Sequence, residues 1–303
     1  MTRHFLTISD LSREELFAVL DRAEQLKALR GTPAHPQPLE GKSVAVVFEK
    51  ASTRTRLSFE VGIHELGAQP VTLNSRDTQL GRGEPIEDTA RMLSRFAHGV
   101  VYRTFGHDRL EALAHYSTVP VVNGLSDEFH PVQLLADMMT IRQSTGPALG
   151  DARVAWIGDG NNMAHSWIVS ASVAGFELVL ACPSGYQPDE QVLADARERG
   201  ARVRVVDRPE EALEGATVVS TDVWASMGQE DEARDRQRAF AGFIVDEAAM
   251  ARAASDAIFL HCLPAHRGEE VSAAVIDGAQ SRVWDEAENR LHTQKALLEW
   301  LIV

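Results

Sequence analysis

The stretch SVAVVFEKASTRTRLSFEVG, residues 43–62, decides how the chain is read. Ser43 to Glu49 form a β-branched apolar run of strand length. Leu57, Phe59, Val61, Ile63 and Leu66 then recur at helical spacing, with Gly67 placed to end the helix. Between strand and helix stand Ser52, Thr53, Arg54, Thr55 and Arg56: three hydroxyls and two guanidinium groups at a single bend. A helix start already offers free N–H groups and the positive end of the helix dipole, so anions settle there. The dipole contributes about 0.3–1 kcal/mol and a charge-assisted hydrogen bond roughly 1.5–3 kcal/mol, so one arginine outweighs it. The bland alternative is a solvated cationic turn. A phosphate site accounts better for the cations.

Working outward, the same alternation continues. Strands are expected at 43–49, 70–74, 99–103, 118–123, 153–158, 177–182, 202–206, 217–222 and 257–262, each followed by a helix-like stretch. This predicts an α/β fold of two similar domains, each a parallel β-sheet flanked by helices, with the active site in the interdomain cleft. Ser12 and Glu15 form a capping box that opens a first helix. The Gly- and Pro-containing stretch 142–153 is expected to separate the halves, giving domains at 1–145 and 146–284. A closing helix from Asp285 is expected to pack, over 285–303, back on the first domain.

Thirty basic against 44 acidic residues leave a net charge of −14, which argues against nucleic acid or an anionic membrane as partner. No apolar run reaches membrane-spanning length, and the start MTRHFLTISD lacks the apolar segment of a signal peptide. Only Cys182 and Cys262 occur, in no metal-type spacing, so a reducing cytoplasm is the expected location.

Four further stretches carry chemistry. In EFHPVQ, Pro131 suits the first helical position, placing His130 at the cap and Gln133 in the first turn; a lone capping histidine is the competing reading. Arg103 ends a strand, either as a second cation for the same pocket or as a surface arginine. In WIGDGNNM, Gly158 and Gly160 begin a dinucleotide-type turn, but Met163 stands at its third glycine position. Asn161 and Asn162 there suit a turn as well as a ligand. TDVWASMG puts Asp222 at a strand end before Ser226 and Met227, and LHCLPAHRGEE places His261, Cys262 and His266 too close together for a familiar zinc spacing.

STRTR, HPVQ, DVWASMG and HCLPAHRGEE, in this order, together resemble the ornithine branch of the aspartate/ornithine carbamoyltransferase family, from FEKASTRTR to DEAENRLHTQKAL at 285–297. The resemblance implies a first domain that binds carbamoyl phosphate and a second that binds L-ornithine. It also implies citrulline and phosphate as products, no metal or organic cofactor, and a homotrimer or a multiple of it. Ser52, Thr53, Arg54, Thr55, Arg103, His130, Gln133 and Arg290 then match carbamoyl phosphate ligands, as do Cys262 and Leu263, which also meet the reacting amine. Gln79 matches a residue that reaches into a neighbouring subunit's site. Asn162, Asp222, Ser226 and Met227 match ornithine-binding positions. Arg103, Thr55, His130 and Cys262 match the catalytic set. The first three are aimed at the carbonyl oxygen, where charge develops, while Cys262 either accepts a proton or only positions the amine. Leu263–Pro264 is expected to be cis.

Three rivals stand beside this reading. They are a family member with aspartate, acetylornithine or putrescine as acceptor, a catalytically silent binding protein, and a dinucleotide-dependent oxidoreductase. Intact DVWASMG favours ornithine over the first. The matched positions are all occupied by the expected residue types, against the second, and Met163 argues against the third. Arginine biosynthesis is the default direction.

Overall fold

Strand–turn–helix units repeat along the chain, and the central ones bury their strands between helices. The computed structural model describes residues 2–225 and 233–303. The first sheet contains β1 (Ser43–Phe48), β2 (Gln69–Asn74), β3 (Gly99–Arg103) and β4 (Val121–Leu125), all parallel, in the order β2–β1–β3–β4. Its chain segment carries α1 (Arg13–Leu29), α2 (Thr53–Glu65), α3 (Ile86–Phe96), α4 (His107–Tyr116) and α5 (Pro131–Thr145). The second sheet contains β5 (Arg153–Ile157), β6 (Glu177–Ala181), β7 (Arg202–Val206), β8 (Val218–Thr221) and β9 (Ile258–His261), in the order β7–β6–β5–β8–β9. Its helices are α6 (Asn162–Ala174), α7 (Glu190–Glu198), α8 (Pro209–Leu213), α9 (Ala233–Ala239), α10 (Glu247–Met250) and α11 (Ala273–Ile276); α12 (Val283–Ile302) closes the chain. Two compact units result, Met1–Met139 with Glu288–Val303, and Thr140–Ala287.

Central strands read as continuous apolar runs because both their faces are covered. β3 is buried throughout and β1 at all but Ser43. Ala45, Val47, Val100 and Tyr102 share a cluster with Leu93 of α3 and Leu110 and Leu113 of α4. The edge strand β2 is largely uncovered and includes Pro70, whose missing N–H an edge tolerates. In the second unit Ala155, Ile157, Val179, Val219 and Phe259 pack with Trp224, Phe240, Phe243 and Val275.

Two local expectations are corrected. The strand placed at 118–123 runs instead over β4, 121–125. Thr118 and Val119 donate their N–H groups to the hydroxyls of Ser94 and Ser117, and Pro120 has none to give, so pairing starts later. Leu57, placed on the buried face of α2, is 56% exposed, while Phe59 and Ile63 are fully covered.

Each sheet has a point where the chain reverses its order of winding. From β1 the connection passes to β2 on one side, and from β3 to β4 on the other; β5 and β8 stand in the same relation to β6 and β9. Crevices form at the carboxyl ends of such strand pairs.

Candidate active site

The first crevice is built where β1 and β3 end side by side, with Phe48 in register with Arg103. The peptide N–H of Glu49 donates to the Arg103 carbonyl at 2.9 Å, which fixes the start of the STRTR turn against β3. Ser52 is the N-cap of α2, its hydroxyl accepting from the Thr55 N–H at 3.3 Å. Thr53 is exposed and Arg54 half-buried in the first turn, while Thr55 is 1% exposed. The two arginines of the bend have different fates. Arg56 turns to Glu60 one helical turn on, at 2.9 Å, an exposed pair worth little. Arg54 stays close enough to His130 for its charge to act on the ring.

Thr55 collects two guanidinium groups. Arg290 on α12 donates through Nη2 at 2.8 Å, and Arg103 through Nη1 at 3.4 Å. The other arm of Arg290 donates through Nη1 to Gln133 Oε1 at 2.7 Å, and Gln133 Nε2 donates to Asp137 Oδ1 at 2.8 Å. Pro131 opens α5 as its first residue, so His130 sits at the cap and Gln133 within the first turn. All five members of this chain, from Arg103 to Asp137, are buried. Burial, and then the charges of Arg290, Arg103 and Arg54, push the His130 imidazole well below its ordinary value. It is therefore neutral at pH 7 and keeps one N–H to give. Three arginines and a neutral imidazole with an N–H to give, gathered in one crevice, are chemically an anion receptor. Gln79 lies apart from this group, exposed, just before a 3-10 turn at Leu80–Arg82.

The second crevice lies at the ends of β5 and β8. Asn161 caps α6: its Oδ1 accepts from the N–H groups of Met163 at 2.9 Å and Ala164 at 3.2 Å. Its Nδ2 donates to Asp222 Oδ2 at 3.1 Å, so the cap of one helix orients the carboxylate at the end of the neighbouring strand. Asp222 Oδ1 accepts from the Val223 N–H at 2.8 Å and from the Cys262 thiol at 3.2 Å. Asn162 follows as the first residue of α6, half-buried. Asn162, Asp222 and Cys262 thus belong to one unit. Ser226 and Met227 lie outside the described residues.

Gly158, at φ +146°, makes the turn off β5, and a Cβ on Gly160 would stand 2.2 Å from the Pro188 nitrogen. The close approach of the 187–188 segment demands the second glycine without any nucleotide.

Two residues the sequence did not single out, Asp159 and Arg236, join the second crevice. Asp159 is buried against Arg236 of α9, whose Nη1 donates to Asp159 Oδ2 at 2.7 Å and to the Trp224 carbonyl at 2.8 Å. Burial raises the Asp159 pKa, the Arg236 charge opposes that rise, and the Asp222 charge adds to it. The Leu263–Pro264 bond is cis and Leu263 has φ +58°. Its N–H donates to His261 Nδ1 at 2.9 Å, which leaves the hydrogen on Nε2 to bond Glu270 at 3.1 Å. Asp222, His261 and Cys262 bring three possible metal-ligand atoms within 4.8 Å, as do His266, Glu269 and Glu270. In the first group both ring nitrogens of His261 are already engaged, so metal binding there would have to break the bond that orients Leu263. A signal for these partners existed only as residue type. Their pairing spans up to 77 residues and becomes visible in space alone.

Two family models match the chain. The carbamoyl-P binding domain of aspartate/ornithine carbamoyltransferase covers residues 3–143, and the Asp/Orn binding domain covers residues 150–301. The chain belongs to the aspartate/ornithine carbamoyltransferase family. This carbamoyltransferase is 56% identical over 301 residues to the ornithine carbamoyltransferase of Halorhodospira halophila, covering 99% of each sequence. It is 58% identical over 307 residues to that of Acidothermus cellulolyticus, covering 100% of this chain and 97% of the relative. Among solved structures, the anabolic ornithine carbamoyltransferase of Campylobacter jejuni superposes with a TM-score of 0.93 at 42% identity, over 99% of each chain. The ornithine carbamoyltransferase of Burkholderia thailandensis does so with 0.91 at 49% identity, again over 99% of each.

Proposed function

We propose that this carbamoyltransferase transfers the carbamoyl group of carbamoyl phosphate to the δ-amine of L-ornithine, giving L-citrulline and phosphate. The observation that carries the reading is the buried Arg103–Thr55–Arg290–Gln133 chain beside a neutral His130, at the carboxyl ends of β1 and β3.

In this reading the phosphate rests at the positive end of the α2 dipole, with Ser52, Thr53 and Arg54 around it. Arg103, Thr55 and His130 donate to the carbonyl oxygen, and Arg290 and Gln133 hold the carbamoyl group. As the neutral amine nitrogen forms its bond to carbon, negative charge develops on the carbonyl oxygen; the carbon–oxygen bond to phosphate then breaks, and the departing phosphate takes the proton that the nitrogen sheds. Each donor aimed at the carbonyl oxygen is worth about 2.7–4 kcal/mol. A neutral His130 can donate without adding a further cation. In the second unit Asp222, oriented by Asn161, pairs the α-ammonium of ornithine, and Asn162, Ser226 and Met227 hold the rest of its backbone. The Cys262 thiol, bonded to Asp222, and Leu263 meet the δ-amine.

Acceptor choice follows the relatives, whose names specify ornithine. The biosynthetic direction is supported by the solved structure described as anabolic. A homotrimer in which Gln79 serves a neighbouring site follows the family resemblance, and the exposure of Gln79 is compatible with it. A cytoplasmic location is supported by two cysteines that form no disulfide with each other.

The test is product formation from carbamoyl phosphate with ornithine, acetylornithine, putrescine and aspartate in parallel. Citrulline from ornithine at a rate far above the other three products is expected. Faster turnover of another acceptor would replace ornithine, and no product from any would leave a binding protein.

A further inference from the structure

At the far end of α2 from the phosphate segment lies a second polar cluster, half-buried except at Lys295, which is covered. Lys295 of α12 has a fully covered side chain and donates through Nζ to Glu65 Oε2 at 2.6 Å and to His35 Nε2 at 3.1 Å. The other oxygen of Glu65 accepts from Arg30 Nε at 2.9 Å, a pair with a partly exposed arginine. A buried ammonium is strongly unfavourable without its partner, so Lys295 cannot leave Glu65 at low cost. Midway between the two clusters α2 and α12 touch closely. A Cβ on Gly62 would stand 3.1 Å from Lys295 Cγ and 3.3 Å from Leu291 Cδ1. Contacts therefore run in the same order along both helices: Thr55 to Arg290, Gly62 to Leu291 and Lys295, Glu65 to Lys295.

We propose that Lys295 and Glu65 are positioning residues for carbamoyl phosphate: by locking α2 to α12 they hold Thr55 and Arg290 at bonding distance. The inference rests on the reading that Thr55 and Arg290 bind this substrate. Among the described residues, neither Lys295 nor Glu65 bonds any that is placed in the candidate site, so both act only through the register of the two helices. Helix geometry sets the lever. Glu65 lies about 15 Å along α2 from Thr55, whereas Lys295 lies about 7.5 Å along α12 from Arg290. A small rotation at the lock thus moves Thr55 and Arg290 by unequal amounts and opens the 2.8 Å bond between them.

The experiment compares full-length Lys295→Met, Glu65→Gln and Arg290→Ala with the parent enzyme. It measures KM for carbamoyl phosphate, KM for ornithine, kcat and the thermal midpoint. Lys295→Met is expected to raise KM for carbamoyl phosphate about tenfold, the equivalent of one weakened charge-assisted hydrogen bond. Its kcat at saturation should stay within about twofold of the parent, with the ornithine KM unchanged. Glu65→Gln should shift the same constant in the same direction by less. If Lys295→Met does not fold, Glu65→Gln and Lys295→Arg decide by that constant. Folded variants with a lowered midpoint and the parental KM for carbamoyl phosphate would make the lock purely structural and overturn the proposal. Arg290→Ala separates the two ways of failing. If it raises this KM and the lock variants do not, only the lock is wrong; if it too leaves KM unchanged, the site reading fails with it.

Discussion

Arg290→Lys tests whether the site needs a fork or merely a cation. In the parent chain the guanidinium bridges two acceptors, Gln133 Oε1 at 2.7 Å and Thr55 Oγ1 at 2.8 Å, within a buried environment. A lysine keeps the charge, but its ammonium is a point donor on a shorter, non-planar head and cannot span both. One charge-assisted hydrogen bond is therefore lost, about 1.5–3 kcal/mol. At about 1.4 kcal/mol per tenfold, kcat/KM for carbamoyl phosphate should fall by roughly 10- to 150-fold. The assay is steady-state citrulline formation against carbamoyl phosphate at saturating ornithine, with calorimetric titration of carbamoyl phosphate alongside it. Arg290→Met, which removes charge and fork together, should lose more than Arg290→Lys in both measurements. A lysine variant within twofold of the parent would show that the bridge to Gln133 and Thr55 does not position the substrate, and the argument from the buried network would be wrong.

Three other outcomes follow from the same contacts. Asp222→Asn turns one of three accepting contacts into a donor facing a donor, so KM for ornithine should rise by at least about tenfold with that for carbamoyl phosphate unchanged; an equal rise in both would detach Asp222 from ornithine. Arg236→Met leaves Asp159 buried without its cation and should lower unfolding stability by about 3–5 kcal/mol at pH 7.5. Because burial already raises the Asp159 pKa, the folded variant binds the extra proton first, and lowering the pH should return part of that loss; urea midpoints that stay parallel to the parent's across pH would refute it. Burial, opposed by the bond to Glu288, pushes His292 from 6.5 down to about 4. Below 6.5 the unfolded chain takes the proton that the folded one refuses, so stability is present above that pH and lost on acidification, by about 2 kcal/mol at pH 5. His292→Phe should flatten this limb of the urea-midpoint profile, and an unchanged slope between pH 7.5 and 5 would place its origin elsewhere.

What the sequence alone determined is local. The capping box of Ser12 and Glu15 and Pro131 at the head of a helix each act over a few residues, and both stand where they were read. The positions of the central strands were legible because a strand buried on both faces must be apolar along its whole length. The edges of elements were less legible: β4 begins only after hydroxyl groups have taken the N–H groups of Thr118 and Val119. A helical apolar pattern likewise did not say that Leu57 faces outward. Motifs named Arg54, Thr55, Arg103, His130 and Gln133 as candidates, yet nothing in a linear pattern separates Arg54 from Arg56, whose charge goes to Glu60. Only tertiary structure decided that Arg290 meets Gln133 across 157 residues and Thr55 across 235. It alone made Asn161 the cap that orients Asp222, and it alone buried Lys295 against Glu65. Those contacts depend on the order in which strands join a sheet and on how closely two helices approach at a glycine. Both arise from burying apolar surface across the whole unit, so no window of neighbouring residues contains them.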